Sequence, residues 1–177
     1  MPKVYVLASE GISLTSRLIR WWQWGFPYTH IAYCLDPNPN DPIVIEAWWD
    51  GVRKGFFSEV HTPGTKFTVY SVEVTNRQKV LIEDFLHGQL SVPYDWLGIL
   101  GFPLRSWKLQ RKDRWFCSEL VFTAFKQAGV ELLKNTHPSE VSPRLLLKSP
   151  LLQFEYSTKL PEVKGGVQRS FRKSPTA

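Results

Sequence analysis

Between Thr29 and Glu73, turn residues cut the chain into apolar stretches that are too short for helices and the right length for strands. Val4–Ala8 reads as the first strand, and Thr29–Leu35 reads as a second. The run Asp36-Pro37-Asn38-Pro39-Asn40-Asp41-Pro42 is a loop by every turn signal, and Ile43–Trp49 is the next strand. Asp50-Gly51 supplies the chemistry of a tight two-residue hairpin, which returns the chain through Val52–Phe57. After a turn over His61–Gly64, Lys66–Glu73 adds a further strand, so this half reads as an antiparallel meander.

A sheet with an apolar face needs a covering layer, and the rest of the chain supplies one. Leu14, Leu18, Ile19 and Trp22 fall at helical spacing within Ser13–Trp22, which Gly25 and Pro27 terminate. Thr75 followed three positions later by Gln78 is a capping-box signature, with Val80, Leu81, Phe85 and Leu86 as the expected apolar face. Cys117–Ala128 reads as a helix that buries Leu120, Val121, Ala124 and Phe125 and stops at Gly129. Ser142-Pro143 opens one more turn or two. The expected class is therefore α+β, an antiparallel sheet packed against helices.

At 177 residues and 20.5 kDa, the chain fits one core without disulfide staples. Residues 1–163 are expected to form a single domain, and 164–177 a basic flexible tail. The net charge of +6 is uneven: Arg105–Arg114 carries five basic residues and one acid, and Lys164–Lys173 four basic residues and none, leaving −2 for the remainder. This loop and tail are candidate contacts for an anionic surface. No base-reading motif accompanies them, so no specific nucleic-acid partner is expected. The opening residues lack a secretory h-region, and no run reaches membrane-spanning length, which points to a cytoplasmic protein, with virion association or delivery by another route as the alternative. Cys34 and Cys117 have no metal-ligand spacing and read as free thiols, with no metal or organic cofactor expected.

Cys117 is the most informative residue. In Arg114-Trp115-Phe116-Cys117-Ser118-Glu119-Leu120-Val121 it stands at the expected start of an amphipathic helix. Unpaired N–H groups and the positive end of the helix dipole there favour a thiolate, and the same groups can hold an oxyanion. A buried structural cysteine is the alternative. A nucleophilic thiol needs a base. His87 sits among polar residues on a helix, while His61 and His137 stand in turn sequences. His30 begins a strand, where an imidazole can be held in one orientation at a cleft. Glu46 interrupts the apolar strand Ile43–Trp49 and is the candidate to orient that imidazole, or else an outward-facing residue of a one-sided sheet. Cys34 lies on the same strand face as His30 but lacks a helix N-terminus, and reads as a small core residue.

The chain resembles the papain-like hydrolases of the NlpC type, in their circularly permuted, YiiX-like branch. The likeness is carried by Thr29-His30-Ile31-Ala32-Tyr33, Ile45-Glu46-Ala47 with Gly51-Val52, Tyr94-Asp95, and Phe116-Cys117-Ser118-Glu119-Leu120-Val121. It spans roughly Val4–Pro150, with Ala32 where many relatives have Gly. The resemblance implies a permuted papain-like fold and a thiol hydrolase. Cys117 would attack an amide or ester carbonyl, His30 would move the proton and Glu46 would orient His30, through a thioester.

The chain is also rich in aromatic residues, 14% of the total. Trp24, Tyr28 and Trp48 flank the candidate strands and are candidates to line the substrate cleft, with Tyr94 a candidate donor near the oxyanion. The resemblance favours a peptide substrate, cell-wall peptide above all. The rival within the same chemistry is a lipid acyltransferase or phospholipase-like enzyme, as in the lecithin:retinol-acyltransferase-like group, acting on an acyl-containing substrate. A non-catalytic binding or structural module on the same scaffold is the rival from another class.

Overall fold

The computed structural model of the chain describes residues 1–11, 25–94 and 114–162. The expected Ser13–Trp22 helix, the basic loop up to residue 113 and the basic tail lie outside these residues. Among the described residues six strands form one antiparallel sheet: β1 (Lys3–Ser9), β2 (His30–Asp36), β3 (Ile43–Trp48), β4 (Gly51–Phe56), β5 (Lys66–Glu73) and β6 (Gln153–Lys159). Their spatial order is β4-β3-β2-β1-β5-β6. Only β1 to β4 run as a simple meander; β5 crosses back to pair with the far side of β1, so the expectation of an uninterrupted meander is corrected. β6 closes that edge and was not expected from the sequence, because most of its side chains are exposed and little apolar patterning marks it.

The hairpin between β3 and β4 turns over Trp49-Asp50, one residue earlier than the sequence suggests, because Trp48 already pairs with Gly51. Gly51 has φ +135, and a Cβ there would lie 2.9 Å from the Val92 carbonyl oxygen. Only glycine lets the 91–92 segment bond to Val52 along the outer side of β4.

Among the described residues three α-helices follow: α1 (Asn76–Gly88), α2 (Cys117–Gln127) and α3 (Pro143–Leu146). Thr75 and Gln78 form the expected capping box on α1, and Ser142 caps α3. The buried face of α1 is set by Ile82 and Leu86, with Phe85 partly buried. Val80 (54% exposed) and Leu81 (42%) point outward, against expectation, since the face of α1 that packs against α2 runs through Ile82 and Leu86 instead. In α2 the expected positions Leu120, Val121, Ala124 and Phe125 are all buried, and Gly129 takes φ +73 just past the helix end.

Strand alternation sorts the core into two clusters. Val4, Val6, Ile31, Tyr33, Ile45 and Ala47 face α1 and α2. Leu7, Ala32, Cys34, Val44, Phe67 and Val69 belong to the opposite face with Phe57, which opens a short 3-10 turn over Phe57–Glu59 after β4. Among the described residues, no helix is long and apolar enough to cross a membrane.

Candidate active site

His30 and Glu46 share the parity of Ala32, Cys34 and Val44, so their side chains leave the sheet on the face opposite the helices. Cys117 belongs to the helix-side cluster and occupies the first position of α2. His30 is the first residue of β2, so the two faces meet on one imidazole at the end of the sheet. Its Nε2 lies 2.7 Å from Glu46 Oε2, and the ring is within hydrogen-bonding reach of the Cys117 thiol. With Nε2 committed to the carboxylate, Nδ1 is the nitrogen left for the sulfur.

The setting is buried: Cys117 is 1% exposed, His30 7% and Glu46 0%. Burial works against a charged imidazole, but the neighbouring Cys117 sulfur and the Glu46 carboxylate outweigh it and hold His30 up at about 10. For Glu46, burial alone would raise the pKa. His61 and His30 overcome that and keep the carboxyl well below the ordinary range. No side chain caps α2, and the N–H groups of a helix's first turn lack acceptors within the helix, so Cys117 stands beside donors suited to an anion.

Two residues join the site that the sequence alone did not place there. His61, expected as a turn residue, brings its Nε2 to 3.0 Å from the same Glu46 Oε2. Arg53 Nη1 donates to Glu46 Oε1 at 2.7 Å, and its other terminal nitrogen pairs with Glu59. The hairpin made Arg53 findable, because the β3–β4 register sets it directly opposite Glu46. His61 had no comparable signal, since it arrives through the 3-10 turn and stacks on Phe57 with ring centroids 3.8 Å apart.

The remaining candidates divide. Trp48 stands edge-on to His30 at 5.1 Å between centroids and 4.4 Å from His61, so it lines the site. Tyr28 is partly buried and its hydroxyl meets Thr68 Oγ1 at 2.8 Å. Tyr94 is buried, bridges to Trp115 and sits 6.1 Å from the Phe116 ring, next to Cys117 in the chain. Trp24 lies outside the described residues. Cys34 is a buried core thiol, as expected, and burial pushes its pKa up to about 12.

His30, Glu46 and His61 offer three ligand atoms within 4.8 Å of one another, the set among the described residues that has metal-ligand chemistry. Their hydrogen bonding does not fit a resident ion. The atoms are already paired with each other, and the Arg53 guanidinium occupies the second carboxylate oxygen.

No sequence model of a known family matches the chain, and no curated protein does. Among solved structures, the chain is similar to the crystal structure of metalloprotein yiiX from Escherichia coli O157:H7, described as DUF1105. The TM-score is 0.64 at 20% sequence identity, over 90% of this chain and 98% of that one. The chain has a YiiX-like fold. That likeness supports the YiiX-like part of the resemblance noted from the sequence.

Proposed function

We propose that the chain is a cysteine hydrolase of permuted papain-like type that cleaves an amide or ester bond through a thioester, with Cys117, His30 and Glu46 as its triad. One observation carries this reading: a single imidazole has a thiol at a helix N-terminus as one interacting neighbour and is hydrogen-bonded to a buried carboxylate. Cys117 Sγ, its proton passed to His30, would add to the substrate carbonyl carbon, and the oxyanion would take hydrogen bonds from the first-turn N–H groups of α2. The His30 imidazolium would pass its proton to the leaving nitrogen or oxygen as that bond breaks, leaving a thioester on Cys117. His30, now neutral, would take a proton from water as the water oxygen attacks the thioester, then return it to the departing sulfur. Glu46 would keep the ring in its Nε2–H tautomer throughout. Because Cys117 is 1% exposed, substrate must displace what covers it.

The experiment is to trap the thioester by mass spectrometry during turnover of a panel of cell-wall peptide, simple amide and phospholipid ester substrates. The expected result is an acyl adduct on Cys117 with at least one class and no turnover by Cys117→Ala. Hydrolysis that survives Cys117→Ala would overturn the reading. Which class reacts separates peptide cleavage from lipid acyl chemistry.

The metalloprotein description of the structural neighbour favours a second reading, in which His30, Glu46 and His61 hold a metal ion here too. The paired state of their ligand atoms and the Arg53 contact weigh against it.

A further inference from the structure

We propose that His61 and Arg53 are positioning residues for the thiol site: together they clamp both oxygens of Glu46 and thereby fix the His30 ring against Cys117. The inference rests on the hydrolase reading above and deepens it. Glu46 Oε2 accepts from His30 and His61, and Oε1 from Arg53, so the carboxylate is held at both oxygens by groups on different elements. Rotation of the carboxylate would break at least one of these bonds inside a fully buried setting, where an orphaned donor is costly. The clamps are themselves anchored. His61 stacks on Phe57, packs against Trp48 and donates its backbone N–H to the Phe57 carbonyl. Arg53 is gripped by Glu59.

The charges assign the two clamps different work. Arg53 stands between two carboxylates, Glu46 and Glu59, so the three groups together keep one negative charge for His30. The charged groups facing His61 are Glu46, His30 and Arg53. Burial drives it toward the neutral form, His30 and Arg53 push the same way, and Glu46 pulls against them. A neutral His61 orients Glu46 by donating from Nε2 without cancelling the charge that His30 needs. This is a use of two histidines and one carboxylate that requires no metal.

The test compares wild type, His61→Ala, His61→Gln and His30→Ala. It measures the second-order rate of Cys117 alkylation by iodoacetamide across pH, with thermal unfolding of each variant alongside. The Gln side chain carries an amide N–H able to reach the place of Nε2–H. His61→Ala should lower the alkylation rate near neutral pH on the order of 10- to 100-fold, the scale of losing a fixed geometry. His61→Gln should restore most of the rate, and neither variant should remove the dependence on His30. A His61→Ala profile that overlays wild type while His30→Ala collapses it would overturn the positioning role and leave the hydrolase reading standing. Alkylation indifferent to His30→Ala would instead remove the hydrolase reading and this inference with it. Zinc titration by calorimetry provides a second arm. Stoichiometric tight binding that persists in Cys117→Ala and disappears in His61→Ala would overturn the proposal in favour of a metal centre, and its absence supports the clamp.

Discussion

Replacing Glu46 by Gln keeps the size of the side chain and removes its charge. The surroundings of the carboxylate set the cost of that change. Glu46 is 0% exposed and accepts from His30, His61 and Arg53. With the amide oxygen in the Oε2 position, both imidazole bonds survive as weaker bonds to a neutral acceptor. The amide NH2 then faces Arg53 Nη1, donor against donor, where 2.7 Å separated the ion pair. The reverse orientation spares Arg53 and sets the NH2 against two imidazole N–H groups. Either way at least one charge-assisted bond is lost and the groups around Glu46 lose their counter-charge, a change that costs about 3–5 kcal/mol. With a urea dependence of roughly 2 kcal/mol per molar, the unfolding midpoint should fall by about 2 M. Glu59→Gln is the control. Its side chain is 51% exposed, so losing its pair with Arg53 should cost no more than about 1 kcal/mol. The assay is urea unfolding of both variants at neutral pH. A Glu46→Gln midpoint within the range of the Glu59→Gln control, at unchanged slope, would refute the argument that the buried carboxylate's charge organises this cluster.

The same chemistry predicts three further outcomes. His30, raised from 6.5 to about 10, contributes stability that is complete below 6.5 and is lost as pH climbs toward 10. His61, lowered from 6.5, contributes above 6.5 and loses as pH falls, so the urea midpoint should peak near pH 6.5. A plateau from pH 5 to 10 would contradict both assignments. Cys34→Ala should leave the proposed hydrolysis and Cys117 alkylation unchanged, because burial keeps that thiol protonated up to about 12; loss of both in that variant without loss of folding would reverse the assignment of the two cysteines. Thr75→Ala should lower stability by about 1 kcal/mol in urea unfolding by removing the capping box of α1, with no effect on alkylation of Cys117.

The parts of the fold that the sequence revealed are those in which local chemistry and tertiary packing agree. The strand of Lys66–Glu73, the Thr75 cap and the inward face of α2 were all readable, because period, cap and burial point the same way. The return of β5 to the far side of β1 was not, since strand order depends on long-range pairing that leaves no local trace. β6 escaped because an exposed edge strand has little apolar alternation to show. In the candidate site, the placement of Cys117, His30 and Glu46 was legible from residue type and element position. Arg53 was one step away, through the hairpin register. His61 was hidden because turn composition describes where a backbone bends, and its side chain joins the site only through stacking on Phe57 and contact with a carboxylate 15 residues earlier.

The central claim is that the Cys117 sulfur and the His30 imidazole share a proton, and nitrogen-15 NMR of the histidine rings across pH tests it most directly. In wild type the account predicts that His30 stays doubly protonated well above the ordinary histidine range, titrating at about 10. In Cys117→Ser its titration should drop by more than about one pH unit, because the main influence that raises it has gone. A His30 ring that titrates near 6.5 in both proteins would contradict the account.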